Sequence, residues 1–250
     1  MTDAALPSRS RKNGDRTGAA AGRLATTRRR FVEAAARSAL IDAILRRRAC
    51  DICEKTGLLA HVAPEGTCVD IGAGLGHMVE RIAAHRPSVV CLGLDPNWGV
   101  APAVASRLRH NAPGRARFCR GDGRALPVAD GTMSTALVAF VLHHLSSTDQ
   151  KAVLFEAARV LQPGGTLILL EDTPGSDADR QHIEAADRRL NFEGRNAVHC
   201  YLRPDEWRTR LELSGFAIRA AIPFTRVFPP ASLRSVPHHA FVCTALPVSE

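Results

Sequence analysis

The sequence predicts an α/β fold, a doubly wound and mostly parallel sheet with helices on both faces. Three observations predict it. Between residues 66 and 172, apolar strand-like runs alternate with helical patterns, and such alternation builds parallel sheets from βαβ units. The first run passes through Val69-Asp70-Ile71-Gly72-Ala73-Gly74-Leu75-Gly76-His77 straight into a helical pattern, so a strand, a glycine turn and a helix follow one another. Finally, Asp70, Asp95, Asp122 and Phe140 fall at or just past the ends of successive strands, on the edge where such sheets bind ligands.

The elements follow in order. Residues 1–28 lack apolar periodicity and are rich in Gly, Ser, Thr, Ala and Arg, which reads as a disordered basic tail. Residues 29–60 carry Phe31, Ala35, Leu40, Ile41, Ile44, Leu45 and Ile52 mostly at three- and four-residue steps, the pattern of two helices. Gly57 and Pro64-Glu65-Gly66 end them. Strands are expected near 67–71, 89–94, 116–119, 134–140 and 166–171, with helices near 75–85, 99–110 and 149–161. Ser147 with Gln150 reads as a capping box for the last of these helices. After the core at 66–172, the segment 173–250 holds a polar helix near 177–192, a loop, a short helix near 205–213, and strands near 216–222 and 239–245.

Composition narrows the function. No run of about 18 apolar residues is present to span a bilayer, and no charged-then-apolar signal segment opens the chain, so a cytoplasmic protein is expected. Four of the seven cysteines (Cys68, Cys91, Cys119 and Cys243) sit in strand-like runs as small hydrophobes. Cys50 and Cys53 form a C-x-x-C pair without a matching second pair, which reads as a helix face and not as a metal site; no metal is expected. The net charge of +8 is concentrated in residues 1–30, which carry eight basic residues against Asp3 and Asp15, so the rest is nearly neutral. Only three of the 33 basic residues are lysines (Lys12, Lys55 and Lys151). A tail of this kind is solvated disorder, an organelle-targeting segment, or a docking arm for RNA.

The glycine turn carries the chemistry. Glycines admit positive φ and let a ligand approach the backbone, and the following helix offers free N–H groups. The spacing is Gly-x-Gly-x-Gly, which departs from the dinucleotide fingerprint. A carboxylate at Asp70 would repel a pyrophosphate but attract a cationic amino-acid head group. Asp95, closing the second strand, suits the two ribose hydroxyls.

Taken together these residues resemble the class I S-adenosylmethionine-dependent methyltransferases. Asp70-Ile71-Gly72-Ala73-Gly74-Leu75-Gly76 is similar to their first motif, Leu94-Asp95-Pro96 to the ribose-binding acid, and Arg120-Gly121-Asp122-Gly123 to the adenine-contacting acid. Ala139-Phe140-Val141-Leu142-His143-His144-Leu145 resembles the segment after the fourth strand, and Arg159-Val160-Leu161-Gln162-Pro163-Gly164-Gly165 the turn into the fifth. The resemblance implies a Rossmann-like sheet of seven strands whose last two form an antiparallel hairpin. It implies S-adenosyl-L-methionine held by Asp70, Gly72, Ala73, Gly74, Gly76, Asp95, Pro96, Asp122, Gly123 and Phe140.

The acceptor half is less legible. His143 and Tyr201 are candidate acceptor contacts, and His144 is the candidate catalytic base for an acceptor that must lose a proton. Glu171-Asp172, His182, His199 and Trp207 stand as either packing or pocket residues; His238 and His239 carry no assignment. A small-molecule acceptor is the leading expectation. RNA is the alternative, kept open by the basic tail and by Leu142-His143-His144-Leu145-Ser146, which is loosely similar to tRNA-modifying members.

Overall fold

Long runs of aliphatic residues, buried on both sides, make the strands of this protein. The computed structural model describes residues 39–96, 101–190, 199–226 and 236–247. Its strands are β1 (Glu65–Ile71), β2 (Ser88–Asp95), β3 (Ala116–Arg120), β4 (Met133–Ala139), β5 (Leu161–Asp172), β6 (Phe216–Arg226) and β7 (Val236–Ala245). They form one sheet in the order β3-β2-β1-β4-β5-β7-β6. The first five pair in parallel, and β7 runs antiparallel to both β5 and β6. The expected parallel sheet and antiparallel C-terminal hairpin are both present.

Side chains alternate between two cores. Cys68, Leu137, Ile168 and Leu170 face one of them. Val69, Ile71, Ala136, Val138, Leu167 and Leu169 face the other. Because both faces are covered, the central strands read as continuous apolar runs instead of alternating ones.

The helices are α1 (Ala39–Thr56), α2 (His77–His85), α3 (Ala101–Asn111), α4 (Ser147–Val160), α5 (Asp177–Leu190) and α6 (Pro204–Leu213). The first three pack on one face through Ile52, Val79, Ile82, Val104 and Leu108. Helices α4 and α6 cover the other through Val153, Leu154, Ala157, Trp207 and Leu211. Trp207 is fully buried in that core and is therefore a packing residue. No described helix is long and apolar enough to cross a membrane.

Several expectations shift. The basic tail and the start of the first helical segment lie outside the described residues, and the described part of 29–60 is one helix plus a short 3-10 turn, Leu58–Ala60. Strand β5 starts five residues earlier than the expected 166, because its first residues already pair with Met133 of β4. The cap of α4 is Ser146, not Ser147: its Oγ accepts the Asp149 N–H at 3.1 Å and donates to the Asp149 carboxylate at 2.9 Å. Cys53 is buried and its thiol is pushed up to about 11 by that burial, so the C-x-x-C pair contributes a packed helix face.

Gln150, which the displaced cap frees from a terminal role, is fully buried. Its amide donates to the carbonyls of Leu142 (2.9 Å) and Cys200 (2.8 Å), and its Oε1 accepts from Arg210. Helix α4 thereby holds residues 199–202 against the 3-10 turn Leu142–His144. Gln150→Leu removes the side-chain donor to the part-buried Cys200 carbonyl and leaves the Leu142 carbonyl with only the Leu145 N–H, while Arg210 loses its acceptor, which together cost about 2 kcal/mol. The expected drop in melting temperature is roughly 4–8 °C for a chain of this size. An unchanged melting curve would remove Gln150 from this clamping role.

Candidate active site

The turn after β1 is fixed from two sides. The N–H groups of Gly72 and Ala73 both donate to the Leu94 carbonyl, at 2.7 and 3.0 Å, tying the turn to β2. Gly74 N–H donates to the Asp95 Oδ2 at 3.0 Å. Gly72 adopts φ 78° and lies so close to Val141 that a Cβ would stand 2.4 Å from its Cγ2. At Gly74, φ is 53° and a Cβ would meet nothing within 4 Å. The turn is closed below and open above Gly74, a cradle for a ligand.

Asp70 stands at the inner end of this cradle, buried within β1. Its Oδ2 has no hydrogen-bond partner among the described residues. Burial, then the charge of Asp95, pushes its carboxyl up to about 7. Asp95 is itself buried at the end of β2, with Pro96 exposed beyond it.

Asp122 differs from the simplest expectation. It is exposed, and Arg124 engages both of its oxygens, at 3.0 Å through Nε and 2.6 Å through Nη2. That ion pair holds its carboxyl below the usual range. Gly123 packs on the end of β1, where a Cβ would stand 2.8 Å from Ile71 Cγ2. Phe140, just past β4, holds φ 57°, a conformation that bulky residues avoid. Its ring meets His238 edge-on at 5.3 Å, and the Arg48 guanidinium lies 5.6 Å from its centroid. Strain of this kind clusters at functional sites.

Beyond β4 and β5 lies a buried polar cluster. Glu171 is fully buried; its Oε1 accepts the N–H groups of Val141 (3.1 Å) and Leu142 (2.6 Å). Its Oε2 lies 2.6 Å from His143 Nδ1. The far nitrogen of His143 faces Asp187 Oδ2 at 3.4 Å and Asp172 Oδ2 at 3.9 Å. Tyr201 O–H donates to Asp187 at 2.5 Å and lies 2.9 Å from His199 Nδ1. The Tyr201 ring stacks on His143 at 5.1 Å, and His144 packs against His143 and His199 at 4.0 and 5.2 Å. Burial lowers the proton affinity of His143, but the Glu171 charge and the adjoining carboxylates outweigh it and hold the imidazole well above its ordinary value.

Comparison with known proteins fits this geometry. A model described as a methyltransferase domain matches residues 68–165. The chain is 31% identical over 132 residues to the ubiquinone/menaquinone biosynthesis C-methyltransferase UbiE of Methylobacterium nodulans, covering 49% of this chain and 52% of that protein. It is 32% identical over 166 residues to the malonyl-[acyl-carrier protein] O-methyltransferase of Methylococcus capsulatus, covering 64% of this chain and 58% of that one. The match over residues 68–165 and the similarity to these relatives support a class I S-adenosylmethionine-dependent methyltransferase domain. The chain spans little more than half the length of these two relatives. The fold is shared with the putative methyltransferase of Haloferax volcanii solved with its Trm112 activator, at TM-score 0.63 and 16% identity over 86% of this chain and 97% of that one.

The structure gathers Asp70, Gly72, Ala73, Gly74, Gly76 and Asp95 around one turn, as the motif spacing implies. It brings His143, His144, His199 and Tyr201 together as a second group. His182 lies on α5, half-buried, with no contact to that group given by the structure. Asp187 and His238 had no signal in the sequence. Asp187 is one acid on a polar helix, and His238 meets Asp172 only because β5 and β7 pair antiparallel in that register.

Proposed function

We propose that this chain transfers a methyl group from S-adenosylmethionine to a small-molecule acceptor at oxygen, nitrogen or carbon, by in-line displacement. One observation carries the reading: a buried carboxylate, Asp70, with an unpartnered oxygen beside a backbone cradle whose Gly74 amide is held by a second acid, Asp95. Asp70 takes the cofactor's ammonium group, and the backbone of Gly72, Ala73, Gly74 and Gly76 lines its amino-acid end. Asp95, with Pro96 beside it, takes the ribose hydroxyls; Asp122 and Gly123 border the adenine, and Phe140 the reacting end. The cofactor supplies an activated methyl on a sulfonium. The chain's part is orientation and a dry pocket.

On the acceptor side, His143 and Tyr201 shape the pocket and His144 takes the proton when the acceptor is a hydroxyl or phenol. The relatives named for quinone and acyl-carrier substrates favour a small or carrier-bound acceptor over a polymer. Incubation of the protein with methyl-labelled S-adenosylmethionine and an extract of its own cells tests this. Label in the low-mass fraction supports the reading; label in nuclease-sensitive polymer replaces it with the RNA alternative.

The position of Asp70 also fixes a pH dependence. Below about 7 the free protein holds Asp70 protonated, chiefly through burial, and a cationic head group must displace that proton. Affinity for S-adenosylhomocysteine is therefore flat above that value and falls about tenfold per pH unit below it. In Asp70→Asn the slope disappears and the affinity is uniformly low. Calorimetry from pH 5.5 to 8.5 reads both, and a slope that persists in Asp70→Asn would transfer the effect to another group.

A further inference from the structure

We propose that His143, Asp172 and Asp187 form a site for one first-row divalent cation of zinc or manganese type, which shares His143 with the acceptor pocket proposed above but does not need that assignment to bind the ion. His143 follows β4, Asp172 ends β5 and Asp187 lies on α5, so only the tertiary fold assembles the set. One nitrogen and two carboxylate oxygens from these residues lie within 4.8 Å of one another. His143 and Asp172 are buried, and Asp187 is mostly so. The imidazole favours zinc or iron, and the two carboxylates also admit manganese.

Two distances around His143 Nε2 favour a cation site over a tight hydrogen-bond network. His143 Nε2 stands 3.4 Å from Asp187 Oδ2 and 3.9 Å from Asp172 Oδ2. These are long for a charge-assisted hydrogen bond, which closes to about 2.7–2.9 Å. The shorter one equals the edge between two ligands of a four-coordinate ion, about 3.4 Å when each bond is about 2.1 Å, and the 3.9 Å one is wider, so Asp172 must draw in on binding. The imidazole's other nitrogen is held at 2.6 Å by Glu171, so the same ring makes one tight contact and two loose ones.

Each ligand has its own outer partner, the arrangement that orients metal ligands. Glu171 fixes the ring of His143, which presents Nε2 to the ion. His238 Nδ1 lies 2.5 Å from Asp172 Oδ1, leaving Oδ2 toward His143. Tyr201 donates to Asp187 Oδ2, the same oxygen that faces His143, and so orients the ligand atom itself. On binding, the cation takes the place of any proton on Nε2, which leaves to solvent.

The test uses the full chain, stripped with a chelator and then titrated with zinc and, separately, with manganese. Cys50→Ser/Cys53→Ser is the background, so that the thiol pair cannot contribute. One equivalent of zinc is expected at micromolar affinity or tighter. Asp172→Asn and Asp187→Asn, nearly isosteric, are expected to weaken it at least tenfold with unchanged circular dichroism. Glu171→Gln acts through His143 and is expected to weaken it roughly ten- to hundred-fold. Independently of any variant, zinc X-ray absorption should show imidazole and oxygen ligands only. No binding of either ion below about 100 μM, binding unmoved by both Asp substitutions, or sulfur in the zinc shell would each overturn the proposal.

Discussion

Asp95→Ala is expected to weaken S-adenosylhomocysteine binding at least a hundredfold while the protein stays folded. Asp95 is buried and its Oδ2 accepts the Gly74 N–H at 3.0 Å, so it shapes the cradle as well as offering acceptors to a ribose. Hydrogen bonds to a charged group are worth about 1.5–3 kcal/mol each, and two of them account for the hundredfold. A second consequence separates this loss from general damage. The charge of Asp95 helps to raise Asp70, so its removal moves the pH midpoint of residual binding below about 7. Calorimetry at pH 8 and a pH series measure the two effects. Wild-type affinity in Asp95→Ala would exclude Asp95 from the cofactor site.

Gly72→Ala is expected to destabilise the fold by about 3 kcal/mol. The left-handed conformation costs a residue with a Cβ about 1–2 kcal/mol, and forcing extra volume into a packed position costs about 1–3 kcal/mol. Both apply here, since φ is 78° and the new carbon would stand 2.4 Å from Val141 Cγ2. The melting temperature should fall by roughly 6–12 °C. Gly74→Ala provides the contrast. Its φ is 53° but nothing lies within 4 Å, so it carries only the conformational cost while still filling the cradle. Stability is thus lost mainly at Gly72, and cofactor affinity is lost at both. Combining Gly72→Ala with Val141→Ala should recover part of the stability, because it relieves the overlap and not the backbone strain. A Gly72→Ala protein that melts like wild type would refute the close-approach argument.

The glycine turn and the acids around it were legible because their determinants are local. Each acid there sits at the end of an apolar run, and each glycine is fixed by a turn of a few residues, so spacing along the chain translates directly into position. Asp122 adds a partner that spacing does not announce. Arg124, two residues on, engages both of its oxygens. The cap of α4 slipped by one residue for a related reason: Gln150 has tertiary partners at Leu142, Cys200 and Arg210, and these outweigh a local capping role.

By itself, then, the sequence determined the alternation of elements, the parallel sheet with its closing hairpin, the glycine turn, and the acids that border it. These follow from periodicity and from backbone conformations that few residues can adopt. Only the tertiary structure decided the cluster beyond β4 and β5. Glu171 looks like any strand-end acid until it caps the backbone of Val141 and Leu142 and holds His143. Asp172 finds His238 through the register of two antiparallel strands, and Asp187 reaches Tyr201 and His143 from a helix whose sequence is polar throughout. Contacts between residues far apart in the chain depend on register and on helix docking, neither of which leaves a local pattern.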